Sequence, residues 1–145
     1  MIRTYEAHDL EEVLEVWYQA SMIGHPFLTE TFLERERDEI SRHWMKIAET
    51  HVYEGEGHVV GFIALIGNEV GALFVHPTFQ RRGIGKALMD HVRASRPYLE
   101  LDVFEANQIG RGFYDAYGFH IIDSHMNETA GLAELRLRLE ADART

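Results

Sequence analysis

The sequence predicts a single α/β domain, built on one mixed, mostly antiparallel sheet with helices on both faces. Its 145 residues, 46% of them hydrophobic, are enough for one ordinary domain with its own core, assigned to residues 1–145. Three strand-like segments follow one another between residues 51 and 77, joined by short glycine turns, as in an antiparallel meander. A later strand–helix–strand order implies parallel pairing through a crossover connection.

The first half of the chain begins with a short strand, IRTYE, followed by a helix, DLEEVLEVWYQAS. Asp9 and Glu12 have the spacing of a capping box at the start of this helix, and apolar residues recur on one face behind them. The segment GHPF interrupts the pattern, and a second helix is predicted from Thr29 to Glu49. The meander strands HVYEGE, HVVGFIALIG and EVGALFVHP come next.

The second half alternates helices and strands. A helix is predicted from Gly83 to Ala94, then the strand YLELDVF, then a helix from Asn107 to Tyr117. The strands FHIIDSHM and LAELRLRLE follow. Because the meander is antiparallel and the crossover is parallel, both kinds of pairing are expected in one twisted sheet.

Composition excludes several classes of function. The chain has no cysteine, which rules out disulfides, thiolate metal sites and a cysteine nucleophile. The N-terminus lacks the layout of a signal peptide and no apolar run is long enough to cross a bilayer, so we expect a cytoplasmic protein without membrane contact. The net charge is −10, and residues 1–72 carry 5 Lys and Arg against 14 Asp and Glu. This charge balance argues against nucleic acid as a partner. The surplus acidic side chains either attract a cationic partner or only keep helix faces solvated.

The stretch LFVHPTFQRRGIGKALMDHV, residues 73–92, has the order of an anion site: a strand, a basic glycine turn and a helix start. Backbone N–H groups at a helix N-terminus carry partial positive charge, and glycines let a ligand approach them. A nucleotide P-loop does not fit, because Gln80 and Ala87 occupy positions that require Gly and Ser or Thr. The dinucleotide motif fails at Leu88, where its third glycine would stand.

Two other signatures do fit. Gln80, Gly83 and Gly85 satisfy the pattern Q/R-x-x-G-x-G/A, and NQIGRGFYDAYGF fits N-x-x-A-x-x-F-Y-x-x-x-G-F, with Gly110 in place of Ala. By these signatures and by its strand order, the chain resembles the GCN5-related N-acetyltransferase (GNAT) superfamily. The resemblance implies a GNAT fold, in which a central parallel pair of strands splays apart, and acetyl-CoA as the co-substrate.

The resemblance also implies where acetyl-CoA binds. Main-chain groups of Leu73, Phe74 and Val75 are expected to bond the pantetheine arm and the acetyl carbonyl. The glycine turn is expected to hold the diphosphate through Gln80, Arg81, Arg82, Gly83, Ile84, Gly85 and Lys86. Asn107, which by residue type favours a helix N-cap, is implied to bond the pantetheine region as well.

Acetyl transfer to an amine needs a neutral amine, donors for the developing oxyanion and an acid for the departing thiolate. Tyr114 matches the family position that often supplies that acid and also borders the cofactor, although a helix tyrosine is commonly a packing residue. The resemblance also implies that Glu69, at the start of the strand that splays, is a candidate base acting directly or through water, although a carboxylate in a turn is commonly just solvated. Strand alternation predicts that Glu69 shares a face with Gly71, Leu73 and Val75.

The segment SMIGHPFLT is in the part of the fold that usually lines the acceptor pocket. His25, Phe27 and Trp17 are therefore candidates for acceptor binding, although a lone loop histidine is commonly incidental. The nine histidines include no H-E-x-x-H motif, and no metal is expected.

The resulting hypothesis is an acetyl-CoA-dependent N-acetyltransferase. Direct transfer in a ternary complex is expected, because no cysteine exists to carry the acetyl group. The alternative is a non-catalytic module that senses or sequesters acyl-CoA. The acceptor is a primary amine, on a small molecule or on a peptide or protein, and is expected to be cationic; a homodimer is compatible with the sequence.

Overall fold

A computed structural model describes residues 1–141; every predicted strand is present, and helices and strands follow one another in the predicted order. The elements are β1 (Ile2–Thr4), α1 (Leu10–Gly24), α2 (Glu30–Glu39), α3 (Met45–Ile47), β2 (Glu49–Gly55), β3 (His58–Ile66), β4 (Glu69–Val75), α4 (Ile84–Arg93), β5 (Tyr98–Phe104), α5 (Gln108–Tyr117), β6 (His120–Asn127) and β7 (Leu132–Glu140). The α/β class is confirmed. The last four residues of the predicted domain lie outside the described part of the chain.

The seven strands form one sheet in the order β1-β2-β3-β4-β5-β7-β6. Every neighbouring pair is antiparallel except β4–β5, so the meander and the parallel crossover are both present. The β4–β5 ladder contains a single pair, Glu69 with Glu100, and the two strands diverge beyond it. The predicted central pair that splays apart is thereby confirmed.

Helices cover both faces of the sheet. On one face α4 packs through Ile84, Leu88, Met89 and Val92, with α5 beside it; on the other α1 and α2 pack through residues such as Val13, Trp17 and Leu33. Burying a large apolar side chain stabilises the fold by about 1.5–3 kcal/mol. The start of α4 is therefore held firmly against the sheet, which fixes the glycine turn in front of it. None of the helices described in residues 1–141 is long and apolar enough to cross a membrane.

The capping box predicted at the start of α1 is wrong. Asp9 precedes α1, but its carboxylate accepts hydrogen bonds from the Arg3 guanidinium at 2.8 Å and from the Glu6 N–H at 2.8 Å. Glu12 reaches across to β3 and accepts from the Val59 N–H at 3.0 Å. Groups from β1 and β3 thus donate hydrogen bonds to the two carboxylates that the sequence spacing predicts as caps of the helix.

The second predicted helix is interrupted. The α-helical pattern of α2 ends at Glu39, a π-helical turn covers Ile40–Trp44, and α3 ends at Ile47, before β2 begins at Glu49. A π turn accommodates an extra residue and is common beside functional sites. Here it lies over a cavity whose lining includes Ile40, Trp44 and Met45.

Candidate active site

The divergence of β4 and β5 opens a cleft of about 100 Å³ beside β4, here called the fork cleft. Its lining comes from β4, the glycine turn, α5 and the end of α1, and includes Leu73, Phe74, Val75, Gln80, Asn107 and Tyr114. Six residues predicted to contact acetyl-CoA, from three separate segments, therefore meet at one cleft.

The main-chain groups of β4 divide between β3 and the fork cleft. The His76 N–H donates to the Val60 carbonyl at 2.8 Å, and N–H direction alternates along an antiparallel strand. The Phe74 N–H therefore points to β3, whereas those of Leu73 and Val75 point into the cleft. The prediction that the Phe74 main chain bonds acetyl-CoA is corrected, because that main chain is already paired with β3. The Phe74 ring still lines the cleft. The Val75 carbonyl accepts from Gln80 Nε2 at 3.0 Å.

The glycine turn presents a row of free donors. Arg81 and Gly83 have φ angles of +64° and +80°, and this left-handed backbone curls the chain before α4. The first N–H with a main-chain acceptor inside or beside α4 is that of Ala87, which donates to Gly83 at 2.9 Å. Within residues 1–141, the N–H groups of residues 81–86 have no protein acceptor. Such a row at a helix N-terminus suits a diphosphate.

The basic side chains of the turn differ in their surroundings. Lys86 is paired with Asp90 at 2.9 Å, and the Arg82 guanidinium lies 4.9 Å from the centre of the Phe79 ring. Arg81 is exposed and has no ion-pair partner within the described chain. The Ile84 side chain is buried in the core, so only its N–H faces the turn.

Asn107 joins the fork cleft to the segment after α1. Its Oδ1 accepts the Gly110 N–H at 2.9 Å, as an N-cap does, and this leaves Nδ2 to donate to His25 Nε2 at 3.0 Å. Nε2 therefore carries no proton. Burial lowers the pKa of His25 to about 4, so the imidazole is neutral at physiological pH.

Gly110, where the family signature has Ala, makes room for this arrangement. A Cβ atom on Gly110 would lie 2.5 Å from Asn107 Nδ2, so the amide could not keep its position. We expect Gly110→Ala to break the hydrogen bond from Asn107 to His25 and to raise the pKa of His25 above its wild-type value, because the neutral imidazole loses a hydrogen-bond donor while its burial remains. An NMR titration of His25 measures this.

Gly112→Ala is the matched control, because a Cβ atom there would meet nothing within 4 Å. It should leave the His25 titration unchanged. An unchanged titration in Gly110→Ala as well would show that Gly110 does not determine the position of the amide.

Tyr114 lies between the fork cleft and a second, larger cavity and lines both. Its ring packs against Phe113 and Phe119, with centroids 5.4 and 5.5 Å away. Burial raises the pKa of Tyr114 to about 12, so the phenol stays protonated over the whole physiological range. The hydroxyl makes no protein hydrogen bond within residues 1–141 and is free to donate into the cleft.

The larger cavity, here called the α2 cavity, has a volume of about 440 Å³ and lies between α2 and the sheet. Aromatic side chains form much of its wall: Trp17, Phe32, Trp44, Phe74 and Phe104. Four carboxylates also line it, those of Glu36, Glu69, Asp102 and Glu134. Sequence reasoning found only Glu69, because α2, β5 and β7 contribute the other three at no characteristic spacing.

The predicted orientation of Glu69 is wrong. The β3–β4 register pairs Ala64 with Ala72 but Leu65 with Val70, which leaves Gly71 as an extra, bulged residue. The bulge reverses the alternation, so Glu69 lies on the side opposite to Leu73 and faces the α2 cavity. Both carboxylate oxygens of Glu69 bond Arg136, one of them at 2.8 Å, so proton acceptance by Glu69 would compete with this pair.

The predicted acceptor residues are placed differently from one another. His25 lines both cavities, and Trp17, with 4% of its surface exposed, is a core residue that lines the α2 cavity. Phe27 lines neither cavity; its ring packs behind them, against His25 at 5.6 Å and Phe104 at 5.5 Å. Phe27 therefore supports the position of His25 and does not line the cavity in which an acceptor would bind.

A histidine and two carboxylates meet at the rim of the α2 cavity. The His125 Nε2 lies 3.2 Å from Glu134 and 3.6 Å from Asp102, and the potential ligand atoms of all three are within 4.8 Å of one another. No spacing pattern in the sequence indicates this group, because its members come from three different strands. Arg136 lies 3.4 Å from Asp102 and already supplies positive charge, so the group is explained as an ion-pair network.

A protein-family model and several known proteins match this chain. Residues 46–121 match the family model described as an acetyltransferase (GNAT) domain. A peptidyl-lysine N-acetyltransferase of Escherichia coli (strain K12), YiaC, is 37% identical over 124 residues, or 85% of each chain. A second one from that organism, YjaB, is 30% identical over 121 residues, which cover 83% of this chain and 82% of the relative.

Solved structures agree as well. The solution structure of apo-form YjaB from Escherichia coli has a TM-score of 0.84 at 27% identity and covers 95% of both chains. The PaiA N-acetyltransferase of Thermoplasma acidophilum, solved in complex with coenzyme A, shares the fold, with a TM-score of 0.80 at 19% identity over 97% of this chain and 98% of that one.

These findings confirm the family resemblance that the two signatures indicated. The matched domain spans β4, the glycine turn and α5, which carry the fork cleft. Relatives at this level of identity are named as transferases, which supports an enzyme and not the alternative of a non-catalytic module. The chain belongs to the GNAT acetyltransferase family and is an acyltransferase that transfers acetyl groups to amines.

Proposed function

We propose that this enzyme acetylates lysine side chains of peptides or proteins, with acetyl-CoA as donor, by direct transfer in a ternary complex. The observation that carries the proposal is that the fork cleft and the α2 cavity meet at Tyr114, His25 and Asn107. Two substrates bound in adjoining cavities can react without a covalent enzyme intermediate. The names of the relatives YiaC and YjaB support lysine as the acceptor.

In this proposal the donor is held by main-chain groups. The free N–H groups of residues 81–86 bind the diphosphate, and the exposed Arg81 adds charge. The N–H groups of Leu73 and Val75 bond the pantetheine arm and the acetyl oxygen. A donor aimed at a developing oxyanion is worth about 3–4 kcal/mol of barrier.

The chemical step forms a bond between the amine nitrogen and the acetyl carbonyl carbon and breaks the bond from that carbon to sulfur. Tyr114 donates its phenolic proton to the departing sulfur and regains one from solvent. The amine gives up its proton to water or to a carboxylate of the α2 cavity. Glu69 remains the proposed base, working through water because Arg136 holds its oxygens.

A peptide suits the α2 cavity better than a compact small molecule. The cavity opens beside Trp44 and Ile66, whose exposed fractions are 43% and 45%. Large apolar side chains at a cavity mouth are typical of surfaces that bind other chains. A lysine stem can follow the aromatic wall inward while the peptide backbone lies across the mouth.

Release of free CoA thiol with a lysine peptide tests the proposal. We expect steady release with a peptide containing one lysine, blocked at its N-terminus, and a peptide product heavier by one acetyl group. The same peptide carrying N-acetyllysine is the control and should release nothing. Turnover with a free polyamine but with no lysine peptide would contradict the proposed acceptor, and acetyl-CoA binding without turnover of any amine would contradict catalysis itself.

A further inference from the structure

One of the carboxylates that line the α2 cavity has no partner within the described part of the chain. Glu69 and Asp102 are paired with Arg136, and Glu134 lies 3.2 Å from His125. Within residues 1–141, the Glu36 carboxylate has neither a hydrogen bond nor an ion pair. It is the exception among the four acidic side chains that line the cavity.

Glu36 belongs to the inner face of α2. Phe32 and Ile40, one helical turn before and after it, line the same cavity, and side chains four residues apart share a helix face. Glu36 is half-buried, and burial, together with Glu39 and Glu134, raises the pKa of its carboxyl group. An unpaired acid beside an aromatic wall is unfavourable for the protein alone and becomes favourable when a cation arrives.

The position of Glu36 relative to the reacting amine indicates which part of a substrate could supply the cation. Glu36 faces Glu134 on β7, and Glu134 is paired with Phe104 on β5. Strand β7 is one spacing, about 4.8 Å, beyond β5. The proposed acetyl transfer, in contrast, lies in the gap between β4 and β5. Glu36 is therefore displaced to the side of the reacting amine.

We propose that Glu36 is a specificity-determining residue that selects acceptor peptides with a second positive charge, a lysine or arginine near the lysine that is acetylated. The inference rests on the proposed function and adds the sequence context of its substrate. The cavity wall suits such a side chain, because Phe32 and Trp44 can cover its methylene stem while the carboxylate receives its charged end.

The test compares three blocked peptides of equal length, in which a neighbour of the single lysine is arginine, glutamine or glutamate. For the wild type we expect kcat/KM to be about tenfold higher with arginine than with glutamine, which corresponds to about 1.4 kcal/mol. Glu36→Gln should abolish this preference through a higher KM for the arginine peptide, with kcat and the glutamine peptide little changed. The exposed Glu34 lies on the outer side of the same helix, and Glu34→Gln should keep the preference.

Calorimetric titration of the same peptides into the complex of the enzyme with CoA measures peptide binding directly, so this test does not depend on turnover. Weaker binding of the arginine peptide to Glu36→Gln, at unchanged binding of the glutamine peptide, supports the inference even if lysine is not the group acetylated. A preference retained in Glu36→Gln overturns it. An equal fall of kcat with all three peptides also overturns it, because the carboxylate would then act on the reacting amine.

Thermal stability separates recognition from a structural role. Glu36→Gln removes an unpaired charge that faces Glu134, so its Tm should equal or exceed that of the wild type. A clearly lower Tm would show that Glu36 holds the fold together and would overturn the assignment.

Discussion

Tyr114→Phe is expected to lower kcat by about 10²-fold, or about 2.7 kcal/mol of barrier, while acetyl-CoA affinity barely moves. The substitution keeps the ring that packs against Phe113 and Phe119 and removes only the hydroxyl at the junction of the two cavities. A group that acts only as the thiolate departs changes kcat rather than donor binding. Steady-state kinetics with a lysine peptide and calorimetry with acetyl-CoA measure the two quantities.

Tyr117→Phe provides the control within the same helix. The Tyr117 hydroxyl donates to Asp90 at 2.5 Å, outside both cavities, so its loss should leave kcat near the wild-type value. Because burial raises the pKa of Tyr114 to about 12, wild-type kcat should show no decline from tyrosine ionisation below about pH 11. Retention of most of the kcat in Tyr114→Phe would make Tyr114 a packing residue and leave catalysis to the main-chain donors of β4.

Gly83→Asp should weaken acetyl-CoA binding at least tenfold, or by about 1.4 kcal/mol. Gly83 lies in the middle of the row of free N–H groups, and a carboxylate there would repel the diphosphate and compete for the same donors. Isothermal titration calorimetry on the folded variant gives the affinity directly.

Backbone strain has to be separated from this electrostatic effect, since Gly83 has a φ of +80°. Gly57, in the β2–β3 turn, has a φ of +81° and equally open space around its Cβ position. Gly57→Asp therefore carries the same strain and the same charge at a position that does not line the fork cleft, and it should bind acetyl-CoA as the wild type does. Equal affinities in the two variants would remove the diphosphate assignment from the turn.

The fold could be predicted almost completely, because its signals are local. Glycine turns marked the hairpins, and helical spacing marked α1, α4 and α5. The errors arose where a distant group changed a local pattern. Arg3 and Val59 took the carboxylates of a supposed capping box, and a π turn interrupted the helix after Glu39.

The candidate site could be predicted in part. The glycine turn and the α5 signature identified the fork cleft, since each is continuous in sequence. The bulge at Gly71 reversed the side of Glu69, and a bulge depends on strand register, which one strand alone does not specify. Glu36 could not be singled out among many acidic residues until the structure brought α2 over β7.

The single residue pair that joins β4 to β5 also divides the sheet into two parts that assemble at different entropic cost. On one side β2, β3 and β4 are consecutive hairpins, so each new strand closes only a short loop. On the other side β7 inserts between β5 and β6, so Tyr98 must pair with Glu140 across two intervening elements. Contacts between residues so far apart in sequence form slowly during folding. The nucleus of folding is therefore expected on the meander side, and the proposed acetyl-CoA site lies at the boundary that the later half of the sheet completes.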